Sequence, residues 1–528
     1  MEPNMKTNSE NLSCSCSCCA VKHHLPVSGS SFNRREFLFR VGAVAAAGLG
    51  LPATAAHAGR AEPGLPLRGP QLAQPLKVQP VLIYDLHQRR QATSWRNWGG
   101  LHTEQDAAAE KARLGEELAR LKGKADFALE ILPVATAKTV EEAKVIAGRE
   151  YDTVLMCAAG GDLKILETLA ASGKWPLMFL RHEPGPVYLW YETAHPRFLR
   201  KTVDDYGQQG MGVHDVVVDS YEELLWRLRA LQGLKNTLGK RIVAIGGAVG
   251  WGAGGQKAPE LARSLWKLDV VDFPYKDLEP RLKAARRNPT LVKQCAAAAA
   301  EYLRQSRVSL HTDRQFLDNA FVLTEVMKDV MDEAKSDAIT VQHCMGTIMG
   351  ISETTACMPL SVLNDAGYLA FCESDFVVIP SGILLHYISG KPVFLNDPTY
   401  PHDNVVTLAH CTAPRRMDGR HAERVKILTH FESDYGAAPK VEMRIGQVCT
   451  TLVPDFECKR WVGFEGKIIG NPFLDICRSQ IDVKVIGNGD ALLEEMKGFH
   501  WMMSYGRYLR ETSYALNKLG VAFRNVSA

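Results

Sequence analysis

Six ionisable residues in the C-terminal half of this 528-residue chain lie in apolar surroundings, where charged groups are rare unless they are paired or bind a metal. They are Glu353, Glu373, Asp375, His386, His410 and His500. Glu373 and Asp375 stand together in Ala-Phe-Cys-Glu-Ser-Asp-Phe, inside the apolar run 368–385. On a strand, carboxylates at i and i+2 share one face and repel each other unless a cation lies between them. On a tight turn they would instead cap a helix.

Carboxylates and a histidine around one hard divalent ion suit Mn²⁺ or Mg²⁺ and leave positions open for substrate oxygens. Such a site can polarise a carbonyl while a carboxylate removes the proton from the adjacent carbon, which is ene-diol chemistry. A lone histidine on an apolar face is, however, more often a hydrogen-bonded core residue. The spacing of these residues alone leaves both interpretations open.

A glycine-rich stretch suggests a different chemistry. Residues 250–255 satisfy Gly-x-Gly-x-x-Gly, follow a predicted strand and precede a predicted helix, with Asp269 and Asp272 about 20 residues on. The loop 246–255 is longer than the tight turn of a dinucleotide site, and Trp251 stands where the backbone should approach a pyrophosphate. We therefore favour a loop that lines another pocket and keep nucleotide binding as an alternative.

The elements that must position these residues follow from apolar patterning. Strand–helix alternation from Val78 predicts an open parallel sheet covered by helices, and a second such unit begins at Arg241. From about residue 371 short β-rich segments dominate. The predicted fold is α/β, with two Rossmann-like parallel-sheet domains at 78–238 and 239–370, followed by a β-rich C-terminal domain at 371–528 that completes the site.

Composition is that of a globular protein, with 46% apolar and 23% charged residues and a net charge of +3. Near-neutral charge without a basic patch argues against a nucleic-acid partner and favours a small molecule. Of 13 cysteines, Cys14, Cys16, Cys18 and Cys19 precede the predicted mature chain. The other nine are scattered without a Cys-x-x-Cys motif, so neither a zinc ribbon nor a disulfide framework is predicted.

The N-terminus has the features of an export signal. Arg34-Arg35 precede an apolar stretch, 41–56, which ends in the small-x-small sequence Ala56-His57-Ala58. We predict a twin-arginine signal region at 1–58 and a Pro/Gly-rich linker at 59–77. The protein would then meet the Tat export machinery, cross the membrane already folded, and reside in the periplasm or elsewhere outside the cytoplasm. The apolar stretch is too short for stable membrane insertion.

Several segments of the C-terminal part resemble the L-fucose isomerase-like family. They are Leu360–Asp365, Phe371–Asp375, Leu384–Phe394, Ala409–Pro414, Phe464–Gly470, Cys477–Gln480 and Gly498–His500. The resemblance covers about residues 338–528, whereas the N-terminal part agrees only in architecture.

The resemblance implies a metal site formed by a Glu, an Asp and a late His. Asp375 and His500 match the Asp and the His. Residues 344–347 stand where relatives often carry a Trp-Pro-Glu-like stretch, so the role of the glutamate would fall to Glu353. Glu353 and Asp375 would bind Mn²⁺, Mg²⁺ or another divalent ion and move the proton, with His500 completing the site.

Further roles follow from the same resemblance. Glu373, His386, His410 and Arg478 would contact the substrate or support the ligands. The expected activity is a metal-dependent aldose–ketose isomerisation of a sugar or polyol by a homo-oligomer. A carbohydrate-binding protein of the same fold without this activity is the second hypothesis, and a nucleotide-dependent oxidoreductase is the third.

Overall fold

The computed structural model describes residues 73–96, 100–188, 193–208 and 210–528, all within one compact unit, Glu62–Ala528. The predicted signal region 1–58, its four cysteines and residues 59–72 of the predicted linker lie outside the described residues. The first strand begins at Leu76, two residues earlier than predicted. In the described ranges, every helix is too short or too polar to span a bilayer.

The strands, in chain order, are β1 Leu76–Ile83, β2 Leu129–Ile131, β3 Ala135–Ala137, β4 Thr153–Ala158, β5 Trp175–Leu180, β6 Val216–Val218, β7 Arg241–Ile245, β8 Asp269–Phe273, β9 Val308–Leu310, β10 Ala338–Val341, β11 Leu369–Cys372, β12 Phe394–Pro398, β13 Val405–His410, β14 Arg424–Leu428, β15 Ala438–Glu442, β16 Val448–Val453, β17 Arg460–Gly470, β18 Ser479–Ile486, β19 Trp501–Tyr505 and β20 Ala522–Asn525.

The helices are α1 Glu104–Lys124, α2 Val140–Ala147, α3 Leu163–Ala170, α4 Tyr221–Thr237, α5 Ala258–Ser264, α6 Tyr275–Arg287, α7 Pro289–Arg304, α8 Arg314–Ala334, α9 Thr347–Ser352, α10 Cys357–Asp365, α11 Ile379–Ser389, α12 Gly489–Glu495 and α13 Leu509–Asn517. A π-helical turn spans Ala194–Leu199, and 3₁₀ turns span Val213–Asp215 and Ala253–Gly255. The long α1 begins where Thr103 and Asp106 form a reciprocal capping box.

The chain forms two parallel sheets, as predicted. The first has the strand order β2-β1-β4-β5-β6, with β3 also beside β1, and the second has the order β11-β10-β7-β8. All six residues of β4 are buried, because helices cover both faces of such a sheet. The C-terminal ends of β7 and β11 lead directly into the glycine loop and into Glu373, at the sheet edge where α/β proteins place their sites.

The C-terminal region contains an antiparallel barrel. Strands β16, β19, β12, β13, β18 and β17 pair in that order, and β16 also pairs with β17, which closes the ring. Strand β20 adds to β17, and β9, β14 and β15 form a separate small sheet. The predicted α/β fold with a β-rich C-terminal region is therefore confirmed at this level, and the domain boundaries stay predictions.

Five helices are not predicted from the sequence, namely α6, α9, α10, α11 and α12. Helix α11 shows why, because it is apolar on nearly every side and almost wholly buried. A helix without a polar face has no 3.6-residue alternation to reveal it. In the sequence, its apolar residues therefore look like part of the predicted β-rich region.

Candidate metal centre

One cluster of ionisable side chains lies where the second parallel sheet meets the barrel. Glu373 directly follows β11, and His410 ends β13. Asp397 lies in β12, and His500 immediately precedes β19. The β12–β19 register pairs Asn396 with Trp501, so its continuation by one residue places Asp397 opposite His500. Adjacent antiparallel strands thus bring the barrel residues to the carboxyl edge of the α/β sheet.

The turn after β11 separates the two carboxylates that the sequence presents as a pair. Glu373 and Ser374 both have left-handed backbone, with φ of 61° and 49°. Non-glycine residues in this region cost on the order of 1 kcal/mol each, and such strain is often kept at functional sites. The backbone N–H of Ser374 donates to Thr340 Oγ1 at 3.1 Å and fixes the turn. As a result, Glu373 and Asp375 do not share a strand face.

Both carboxylate oxygens of Asp375 accept hydrogen bonds from other groups of the protein. Its Oδ1 accepts hydrogen bonds from the backbone N–H groups of Trp251, at 3.1 Å, and Val377, at 3.0 Å. Its Oδ2 lies 2.7 Å from Nδ1 of His500. The carboxylate therefore caps the turn that leads into α11 and holds the imidazole with its proton on Nδ1. That tautomer leaves the lone pair of Nε2 free for a metal, as a carboxylate behind a ligating histidine commonly does.

Three buried atoms of this cluster have no hydrogen-bond partner among the described residues. They are Nε2 of His410, Nε2 of His500 and Oδ1 of Asp397. Nε2 of His500 lies 3.3 Å from Glu373 Oε2 and 3.3 Å from Asp397 Oδ1, and Nε2 of His410 lies 3.8 Å from Glu373 Oε1. Ligand atoms about 2.1 Å from one ion stand about 3.0–3.4 Å apart, so this spacing fits metal coordination.

The ligand atoms of Glu373, His410 and His500 all lie within 4.8 Å of one another. The Thr412 hydroxyl is 3.0 Å from Nδ1 of His410 and can accept its proton, which again leaves Nε2 free. The side chains of His410 and His500 are 4% and 0% exposed, whereas those of Glu373 and Asp397 are 25% and 30% exposed. The histidines thus form the floor of the group, and the carboxylates form its open side.

The protein environment shifts the pKa values of Glu373 and Asp397 in opposite directions. Burial would raise the pKa of Glu373, but the adjacent imidazoles of His410 and His500 hold it well below its usual range, so this carboxylate stays ionised. Burial raises the pKa of Asp397 despite the neighbouring histidines. Burial would lower the pKa of His500, yet its contacts with Asp375 and Glu373 raise it to about 10. The group therefore attracts positive charge, whether protons or a cation.

The glycine loop lies against this cluster. Val249 forms a β-bridge with Asp375, and the indole of Trp251 stacks on Phe499, with ring centroids 3.6 Å apart and planes 3° apart. Both rings are partly exposed, and Phe499 directly precedes His500. A Cβ on Gly250 would lie 2.0 Å from the carbonyl oxygen of Gly255, so the loop is closed tightly on itself. Its contacts are those of a loop lining this site.

Three of the predicted site residues are not part of the cluster. The Glu353 carboxylate is 61% exposed and pairs with Arg286 at 3.0 Å, and its residue ends α9 in left-handed conformation. Nδ1 of His386 bonds the Lys391 carbonyl at 2.9 Å, and burial lowers its pKa to about 4. Arg478 donates from Nε to the Thr429 carbonyl at 2.8 Å. The structure does not bring these three side chains to the cluster.

Sequence reasoning identifies Glu373, His410 and His500 but assigns the first two supporting roles, and it misses Asp397. The available signal was an acidic residue separated only by Asn396 from the apolar Val393–Leu395, a pattern close to the one that drew attention to Glu373. The described residues also contain a second candidate metal group, Cys357, Cys411 and His430. Searches against protein-family models and curated proteins find no match to this chain.

Proposed function

We propose that Glu373, His410 and His500 hold one divalent metal ion, with Asp397 next to it. We propose further that the protein uses this ion to isomerise a sugar between its aldose and ketose forms. The observation that carries the metal proposal is that three buried atoms without a hydrogen-bond partner, Nε2 of His410, Nε2 of His500 and Oδ1 of Asp397, lie in one cluster with the Glu373 carboxylate. The sugar isomerase activity rests in addition on the sequence resemblance of residues 338–528. Two imidazoles among the donors favour Mn²⁺ or another transition metal over Mg²⁺.

Each residue of the cluster has a distinct part in this proposal. A bound ion would polarise the substrate carbonyl and so acidify the neighbouring C–H. Glu373 stays anionic and suits a permanent ligand. Asp397 lies on the open side of the cluster, with its side chain 30% exposed and its Oδ1 3.3 Å from His500 Nε2, so it can reach a bound substrate and is the candidate base. It would remove the proton from C2 of an aldose and return it to C1, while the hydroxyl proton passes from O2 to O1.

The surroundings suit a polyhydroxylated substrate. The carboxylates line the open side of the cluster and offer acceptors for sugar hydroxyls. The stacked rings of Trp251 and Phe499 provide a flat apolar wall beside His500. Such a wall can pack against the C–H face of a sugar ring or chain.

The test is exchange of the C2 hydrogen with solvent deuterium in a panel of aldoses, together with ketose formation, by Mn²⁺-loaded protein. Asp397→Asn should retain metal and lose exchange by about 10²-fold or more, the usual contribution of a positioned base. Asp482→Asn is the matched control, since this barrel carboxylate bonds Thr407 and lies outside the cluster. Loaded protein that exchanges no aldose would overturn the isomerase proposal.

A carbohydrate-binding role without turnover is the second candidate. The position of Glu353 favours it, because the predicted base is paired with Arg286 rather than placed at the cluster. This role predicts that sugars raise the melting temperature of metal-loaded protein while no C2 exchange occurs. Exchange in any aldose would exclude it.

A further inference from the structure

A second group of metal-ligating side chains lies beside the first, built from cysteines that the sequence analysis left without a role. Cys357, Cys411 and His430 are all buried, and one ligand atom from each lies within 4.8 Å of the others. Cys477 packs against the cluster that Cys357 and Cys411 form with Ala438, and its thiol is within hydrogen-bonding contact of Cys411. Together they present three sulfurs and one imidazole.

Four separate segments bring these residues together. Cys357 begins α10, Cys411 follows the last residue of β13, His430 follows β14, and Cys477 precedes β18. Residues far apart in sequence thus meet in one place, which explains why no short spacing motif announces them. A sequence search for Cys-x-x-Cys cannot find a group of this kind.

Backbone contacts hold the start of α10 against the loop that carries His430. The N–H of Met358 donates to the Ala437 carbonyl at 3.2 Å, and the hydroxyl of Thr355 donates to the same carbonyl at 2.9 Å. A Cβ on Gly436 would lie 2.6 Å from the backbone nitrogen of Thr355, so the two segments are in close contact. The N–H of His430 donates to the Tyr435 carbonyl at 2.9 Å, so His430 belongs to the same loop that contacts the start of α10.

Two further contacts resemble the support that ligands receive in metal sites. The backbone N–H of Arg478 donates to Cys411 Sγ at 3.3 Å, a bond that favours the thiolate form. The Ser433 hydroxyl lies 3.3 Å from Nδ1 of His430. Cys449, by contrast, is a buried cysteine outside the group, and its thiol donates to the Gly466 carbonyl at 3.6 Å.

We propose that Cys357, Cys411, Cys477 and His430 form a second, structural metal site for a soft divalent ion of the zinc type. Three thiolates and an imidazole are a closed tetrahedral zinc set, whereas the carboxylate-containing cluster leaves room for oxygen ligands. Tetrahedral sulfurs about 2.3 Å from zinc stand about 3.8 Å apart. The ligand atoms of Cys357, Cys411 and His430, which lie within 4.8 Å of one another, would therefore move closer by about 1 Å or less, and the Cys477 thiol would turn toward them from its contact with Cys411. Binding would release the thiol protons to solvent.

The site would also position the first cluster. His410 and Cys411 are consecutive residues, so an ion that fixes Cys411 fixes the backbone that carries His410. This proposal does not depend on the isomerase activity.

Cobalt(II) binding to the full-length reduced protein tests the proposal. Thiolate ligation gives cobalt an intense near-ultraviolet charge-transfer absorption, which a site of oxygen and nitrogen donors lacks. We expect this band in the wild-type protein and in His500→Ala, together with loss of more than half of it in Cys411→Ser. Cys449→Ser is the matched control and should retain the band.

Zinc content gives the second readout. Wild-type protein should bind two equivalents of metal. Cys411→Ser and His500→Ala should each bind one equivalent, and cobalt-loaded His500→Ala should retain the thiolate band. Absence of the band in reduced wild-type protein, whose folding does not depend on a substitution, would overturn the proposal. So would a disulfide between Cys411 and either Cys357 or Cys477, seen by non-reducing peptide mapping of the purified protein.

Discussion

Asp375→Asn is the substitution that best distinguishes a carboxylate behind a ligand from a ligand itself. Asparagine keeps one oxygen, which can still accept from the backbone N–H groups of Trp251 and Val377. Its amide nitrogen then faces Nδ1 of His500, where Asp375 Oδ2 lies at 2.7 Å. Two N–H donors cannot share that contact, so the imidazole must move its proton to Nε2 and lose the lone pair that faces the cluster.

The expected cost follows from this one bond. A buried hydrogen bond to a charged group contributes about 1.5–3 kcal/mol, and loss of a partner behind a ligating histidine typically weakens metal binding about 10–100-fold. The two figures agree, because 10–100-fold corresponds to about 1.4–2.7 kcal/mol. We therefore expect the Kd for Mn²⁺ to rise about 10–100-fold in Asp375→Asn.

The assay is competition for Mn²⁺ between the protein and a chelator of known affinity, with Asp365→Asn as control. Asp365 is also largely removed from solvent and accepts a backbone N–H, from Arg416, but lies outside the cluster. A Kd within twofold of wild type in Asp375→Asn would refute the role given to this carboxylate. Loss beyond about 10³-fold would instead support the prediction from sequence that Asp375 binds the ion directly.

Three further substitutions test other parts of the structure. Glu353→Gln should leave bound metal unchanged in elemental analysis, and loss of metal would restore Glu353 as a ligand. Gly250→Ala should lower the free energy of unfolding by about 2 kcal/mol, because the new Cβ would overlap the Gly255 carbonyl. The control Gly115→Ala, in an open helical position, should not destabilise the protein. Equal effects of the two substitutions in urea denaturation would contradict this prediction. Folded His386 has its pKa lowered to about 4, so the unfolded state binds more protons below pH 6.5 and stability should fall by about 1–2 kcal/mol between pH 7 and 5. His386→Gln should remove that part of the pH dependence, and an unchanged slope would argue against it.

Much of the architecture could be predicted from apolar patterning. The second parallel unit begins with the strand Arg241–Ile245, at the predicted residue, because this segment has a continuous apolar run and a clear start. Charged residues in apolar runs likewise led to Glu373, His410 and His500. In each case the sequence is informative because burial of a charge is costly unless something compensates it.

The roles within the site could not be predicted, because they depend on local conformation and long-range pairing. The left-handed backbone at Glu373 and Ser374 decides which carboxylate faces the histidines, and no local pattern indicates it. Asp397 reaches His500 through the register of β12 and β19, strands about a hundred residues apart in sequence. The second group depends in the same way on segments that meet only in the folded chain.

The cluster draws its carboxylate Glu373 from the end of a parallel sheet and its histidines from the barrel. An ion bound there would fasten two architecturally different parts of the chain to each other. Fragments cut between residues 373 and 410 would each lack a ligand, so neither could bind the ion as the intact chain does. Ion binding at 1,000 times its Kd would add about 4 kcal/mol to the stability of the assembled pair. The metal would thus link the parallel sheet to the barrel, and its removal should lower the force needed to separate them.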